Sequence, residues 1–136
     1  MSDVRQAPLW ESSLPFPLHA RGKVRDMYDV GGDRLLMVAS DRLSAFDVVM
    51  GRPIPSKGRV LTAVTVWWLR RLEDIVPTHL IAADADAISR AVPDLAGSRE
   101  QWAGRSLLVR KTRPVPVECV VRGYLAGSAW NEYRES

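Results

Sequence analysis

Arg25-Asp26-Met27-Tyr28-Asp29-Val30-Gly31-Gly32-Asp33-Arg34-Leu35-Leu36-Met37-Val38-Ala39 holds two short apolar-rich runs, 25–30 and 35–39, around Gly31-Gly32-Asp33. The glycines supply the positive φ angles that a tight turn between antiparallel strands needs, so the stretch predicts a β-hairpin. Residues 106–111 and 117–122 read as two further strands around Thr112-Arg113-Pro114. Helices are inserted between these strands. The clearest spans 60–73, where Leu61, Val64, Trp68 and Leu72 recur at three- and four-residue steps with Val60 and Trp67 beside them. That stripe is expected to face the core, carrying Trp67 and Trp68 inward rather than offering them as a base-stacking platform. Arg70 and Arg71 fall in its last turn, where cations suit the helix dipole. Residues 84–92 predict a short helix ended by Pro93, and 127–134 the start of another, with Ser128 as its candidate cap. Strands with inserted helices imply an α+β fold with a mainly antiparallel sheet.

Outward from this frame, residues 1–17 carry Pro8, Pro15 and Pro17 without periodicity, and a loose arm on the surface is expected. Residues 51–58 hold Pro53, Pro55 and two glycines, the composition of a loop. The 136 residues suffice for one domain, and 46% hydrophobic with 26% charged residues describes a folded chain rather than a disordered one. The net charge of +3 is spread along the sequence. It suits anionic small molecules and lacks the clustered basic face of a nucleic-acid binder. The lone Cys119 permits no intrachain disulfide, and its apolar neighbours predict a buried thiol. No signal-peptide core or membrane-length apolar run is present, so a cytoplasmic location is the default and no membrane partner is expected. The chain ends at Tyr133-Arg134-Glu135-Ser136, soon after a helix begins, as a truncated protein or one domain of a longer chain would.

Four segments concentrate chemistry. Arg21-Gly22-Lys23-Val24-Arg25-Asp26 sets three cations around a glycine, which allows backbone N–H groups close to phosphate oxygens. It is not a P-loop, and a solvated basic turn is the competing reading. Ser40-Asp41-Arg42-Leu43-Ser44-Ala45-Phe46-Asp47 ends a strand with hydroxyl and acidic groups, either a site containing Asp47 or turn chemistry. Pro53-Ile54-Pro55-Ser56-Lys57-Gly58 places Lys57 just before a helix start, beside N–H groups that can face an anion, or marks a plain helix entry. Residues 115–128 put Glu118 and Arg122 on one face of an apolar strand, followed by Gly123, Gly127 and Ser128. Arg122 with Ser128 would suit a carboxylate or phosphate; a structural Glu118–Arg122 pair fits equally.

Taken in order, ARGKVRDMYDV (20–30), ASDRLSAFDVV (39–49), IPSKGRVLTAVTVWWL (54–69) and VPVECVVRGYLAGSAWNEY (115–133) resemble SAICAR synthetase, phosphoribosylaminoimidazole-succinocarboxamide synthase. The resemblance runs from about residue 18 to 133. It implies a lobe similar to the ATP-binding lobe of protein kinases over 18–114, preceded by the arm 1–17 and followed at 115–136 by the start of a second, substrate-binding lobe. By motif position it implies Gly22, Lys23, Val24 and Arg25 in a phosphate-covering loop, and 110–115, with Lys111 and Val115, as a hinge against adenine. Asp47, Lys57, Arg122 and Ser128 would face the nucleotide substrate, with Glu118 near the ATP ribose or the active-site centre. Lys23, Asp47 and Arg122 would be the catalytic set. Asn131 departs from the lysine common in relatives, at a position expected to be peripheral.

The resemblance further implies an ATP-dependent carbon–nitrogen ligase of purine biosynthesis. Its substrates would be ATP, L-aspartate and carboxyaminoimidazole ribotide (CAIR), with Mg²⁺ as cofactor. ATP would phosphorylate the CAIR carboxylate, and the aspartate amine would displace phosphate from the acyl phosphate to leave the amide. Such chemistry asks a protein for positioning and charge neutralisation. The family's carboxy-terminal part, with its acidic Mg²⁺ ligands, is absent from this sequence. No metal ligand is expected within it, and the fragment alone is expected to be inactive. Monomer and homo-oligomer both remain open. The rival reading is a non-catalytic nucleotide-binding or kinase-like regulatory module.

Overall fold

In a computed structural model, residues 7–117 and 119–136 are described. The predicted hairpin forms: β2 (Arg25–Asp29) pairs antiparallel with β3 (Arg34–Ala39), Arg25 opposite Ala39 and Asp29 opposite Leu35. Gly31, Gly32 and Asp33 all turn with positive φ. Strand β1 (Leu18–Arg21) lies against the free edge of β2. The hairpin β4 (Ser44–Ala45) with β5 (Val48–Val49) stands apart as a two-stranded sheet. Helix α1 spans Lys57–Arg71. Beyond it come β6 (Leu80–Ala82), α2 (Ala85–Ala91), a 3₁₀ helix (Pro93–Ser98), α3 (Arg99–Trp102), β7 (Ser106–Arg110) and α4 (Ser128–Glu135). The main sheet runs β1-β2-β3-β7-β6, every neighbour antiparallel. The fold is α+β, as the sequence implied.

Alternation along β3 divides the interior in two. Leu36 and Val38 point to one face with Tyr28 and Leu108, against Leu14, Ile88, Val92, Leu95 and Trp102. Leu35 points to the other with Leu107 and Val109, against Val66 and Leu69 of α1. The short helix after Asp84 forms as expected, because the Asp84 carboxylate accepts from the N–H groups of Asp86 and Ala87. The helix ends before Pro93 as expected, at Ala91 with Val92 in a non-helical conformation. Pro93 opens the 3₁₀ turn that brings Trp102 into the core, where its Nε1 donates to the Leu95 carbonyl at 3.0 Å.

Three expectations are corrected. Residues 7–17, the described part of the segment before β1, form no loose arm: Leu14 and Ser12 are buried, and Leu9 and Phe16 pack on the core. Trp67 and Trp68 remain 57% and 52% exposed, edge to face with each other. Helix α1 carries apolar residues on opposite sides, so periodicity could not choose between them. The sheet takes the side of Gly58, Thr62, Val66 and Leu69 because only glycine fits at the closest approach. A Cβ on Gly58 would lie 2.3 Å from the Ala39 carbonyl oxygen. Third, 117 and 119–122 join no strand, and Cys119 is exposed. This stretch finds no neighbouring strand among the described residues, so its apolar side chains have nothing to bury against.

Candidate functional site

The turn between β1 and β2 contains Gly22, Lys23 and Val24, and the Gly22 N–H closes it on the Arg25 carbonyl at 2.8 Å. Lys23 reaches across to Asp47, Nζ to Oδ1 at 2.5 Å, with both side chains exposed. The Lys23 hydrogen bond holds the Asp47 carboxyl below its ordinary range. Asp47 and Phe46 form the two-residue turn between β4 and β5, both with positive φ. That backbone suits Asp but is uncommon for Phe, and the Phe46 ring is fully exposed.

Beside the turn, a cleft of about 240 Å³ opens between α1 and the sheet. Val24, Met37, Leu61, Val64 and Leu107 give it apolar walls, and Arg25 and Lys57 add two cations. Lys57 opens α1 after Ser56, whose φ is positive and whose side chain makes no capping bond. The cap is supplied from a distance: the Gly58 N–H donates to Asp41 Oδ1 at 2.8 Å. Burial lowers the Lys57 ammonium from its ordinary value. Asp41 works against that, and Arg25 and Arg42 work with it. A partly desolvated lysine has an incentive to meet an anion.

By sequence, Asp41 and Arg42 belong to the segment 40–47, read either as a site containing Asp47 or as turn chemistry. Both are buried. Asp41 accepts from the Leu9 N–H at 2.8 Å and pairs with Arg105 at 3.1 Å. Arg42 pairs with Asp26 at 2.9 Å. Asp26 also accepts from Ser12 N–H, Ser12 Oγ and Arg21 Nε. Burial pushes the Asp26 carboxyl up, but the Ser12 and Arg42 hydrogen bonds outweigh it and the net direction is down. This ionic block was missed because its partners are scattered from 9 to 105. The signal available was the unbroken succession Ser40-Asp41-Arg42 directly after an apolar strand.

The remaining expected residues lie elsewhere. Lys111 pairs with Asp29 at 3.0 Å, at the end of the sheet opposite Lys23, and its N–H donates to the Asp33 carbonyl at 2.7 Å. Val115 is exposed in the irregular stretch after β7. Arg122 lies against Gly127: its Nη1 is 3.3 Å from where a Cβ would sit, so the glycine makes room for the guanidinium. Ser128 is the first residue of α4 rather than its cap; the cap position is Gly127, whose positive φ no other residue adopts as freely. Arg122 and Ser128 are thus brought to one corner, apart from the residues lining the Val24–Lys57 cleft. Glu118 lies outside the described residues.

The sequence model of the SAICAR synthetase family matches residues 18–136. Phosphoribosylaminoimidazole-succinocarboxamide synthase of Methylibium petroleiphilum is 58% identical over 130 residues, covering 95% of this chain and 42% of the relative. Its namesake in Leptothrix cholodnii is 59% identical over 131 residues, covering 96% of this chain and 42% of the relative. Among solved structures, the SAICAR-synthase from Saccharomyces cerevisiae complexed with SAICAR superposes with a TM-score of 0.84 at 41% identity. That match covers 94% of this chain and 45% of the yeast chain. The chain therefore spans less than half the length of the relatives it matches.

Proposed function

The chain belongs to the SAICAR synthetase family, and we propose that it is the nucleotide-binding portion of a ligase that joins L-aspartate to CAIR at the expense of ATP. One observation carries the reading. A single cleft combines apolar walls from Val24, Met37, Leu61, Val64 and Leu107 with the cations Arg25 and Lys57. Apolar walls suit a base and ribose, while the cations and the neighbouring Lys23 turn suit phosphates. The exposed Lys23–Asp47 pair holds the lysine until a polyphosphate competes for it. Lys111, at the other end of β2 and β3, and Val115 in the irregular stretch beyond it would meet the base of a nucleotide lying along these strands. Glu118 keeps its proposed place near the ribose or the active-site centre.

Arg122, against Gly127 at the start of α4, presents a planar fork for the CAIR carboxylate or phosphate, with Ser128 beside it. In this reading the CAIR carboxylate takes the terminal phosphoryl group of ATP. The aspartate amine then attacks the acyl carbon, the C–O bond to phosphate breaks, and the amine gives up its proton. ADP, phosphate and SAICAR leave. Asp47, once freed from Lys23, can neutralise a cationic group of the substrate. The exposed, unpaired stretch after β7 supports a division into an ATP-binding lobe over 18–114 and the start of a substrate lobe over 115–136. A protein spanning less than half the family length is then inactive alone.

The family also implies Mg²⁺. Among the described residues no three acidic, histidine or cysteine side chains gather where an ion could sit. The Mg²⁺ ligands are expected in the family's carboxy-terminal part. No described helix is long and apolar enough to cross a membrane.

The test uses the enzyme of full family length carrying this sequence. ADP release should require both CAIR and aspartate, and Arg122→Lys should raise the KM for CAIR far more than that for ATP. ADP release indifferent to CAIR would point to a regulatory nucleotide-binding module instead.

A further inference from the structure

The carbonyl groups of the turn 22–24 are all claimed from behind by the buried segment that follows β3. Ser40 donates to the Val24 carbonyl twice, from its N–H at 3.0 Å and its Oγ at 2.9 Å. Arg42 donates from Nη2 to the Gly22 carbonyl at 3.0 Å and from Nε to the Lys23 carbonyl at 2.9 Å. Further bonds, Nη2 to Asp26 and Nη1 to the Trp10 carbonyl, keep the guanidinium plane from rotating. By contrast, the backbone N–H groups of Lys23 and Val24 take no acceptor among the described residues. Successive N–H groups left unclaimed while their carbonyls are held to one side make a donor patch for an anion.

An ion pair with Asp26 would need only one of the Arg42 N–H groups. Three others go to main-chain carbonyls in fixed directions, which a lysine could not reproduce. Next to Arg42, Asp41 ties the same block to the start of α1 through the Gly58 N–H. The two cationic segments, the Lys23 turn and the Lys57 helix start, are therefore anchored to three consecutive buried residues.

We propose that Arg42 is a positioning residue for the polyphosphate of a bound nucleotide. It holds the Gly22 and Lys23 carbonyls inward so that the N–H groups of Lys23 and Val24, and the Lys23 ammonium, are set to receive phosphate oxygens. The inference deepens the nucleotide reading above and rests on it.

Calorimetric titration of the full-length enzyme with ADP and with adenosine separates the roles, because only ADP carries phosphate. Arg42→Lys should weaken ADP about 10- to 100-fold and leave adenosine within about twofold. Ser40→Ala removes one of two donors on the Val24 carbonyl and should give a smaller loss of the same kind, about threefold for ADP alone. It decides the matter if Arg42→Lys does not fold. Equal losses for ADP and adenosine, or unchanged ADP affinity in a folded Arg42→Lys protein, overturn the positioning role. Wild-type enzyme that binds neither ligand overturns the nucleotide reading itself, a result recognisable without any variant.

Discussion

Gly58→Ala is the smallest change that tests how α1 is seated. The new Cβ would stand 2.3 Å from the Ala39 carbonyl oxygen and 3.0 Å from that of Ser40, both backbone atoms at the end of β3. Neither can rotate away, so the helix start must move outward. Overpacking of this kind costs about 1–3 kcal/mol. The same movement stretches the 2.8 Å bond from the Gly58 N–H to the buried Asp41 carboxylate, worth about 1.5–3 kcal/mol as a bond to a charged group. Alanine returns about 1 kcal/mol through its better helix propensity. The expected net loss is about 2–4 kcal/mol. For 136 residues this lowers Tm by about 7–14 °C. Thermal denaturation followed by circular dichroism measures it. Gly51→Ala serves as the control, because nothing lies within 4 Å of a Cβ there. If Gly58→Ala melts with the wild type, or above it as propensity alone would dictate, the close contact between α1 and β3 is wrong.

Three further outcomes are expected. Trp102→Ala empties a fully buried site and leaves the Leu95 carbonyl only the Ser98 hydroxyl as donor, costing about 3–5 kcal/mol, whereas half-exposed Trp68→Ala costs no more than about 1.5 kcal/mol; equal losses in denaturant melts would contradict the seating of α1. Asp26 has a depressed folded pKa, so its contribution is present above the unfolded value of about 3.9 and is lost as pH falls through the folded value. The stability gap between wild type and Asp26→Asn should therefore narrow below about pH 4, and a constant gap in acid melts speaks against the pairing. In the full-length enzyme, Lys23→Ala should cost about 1.5–3 kcal/mol in ATP use with the melting temperature kept; unchanged ATP kinetics would remove Lys23 from the site.

Local chemistry decided a good part of this protein. Gly31-Gly32-Asp33 dictates a turn because few other residues enter positive φ cheaply, and the flanking runs then have to pair. Asp84 starts α2 through its own neighbours' N–H groups. The existence of α1 follows from its composition, and the order of four motifs was enough to point to the family. What the tertiary structure alone decided is which surfaces meet. The facing of α1 was settled by the Ala39 carbonyl pressing on Gly58, a contact across 19 residues of sequence that no periodicity encodes. Asp26, Asp41 and Arg42 became a buried ionic block only because the segment before β1, β2 and the end of β3 converge. Charge in sequence does not reveal whether its partner is water or a carboxylate. Residues 117 and 119–122 have the apolar composition of a strand but no neighbour to pair with among the described residues. Strand formation is a property of two segments, and one of them cannot settle it.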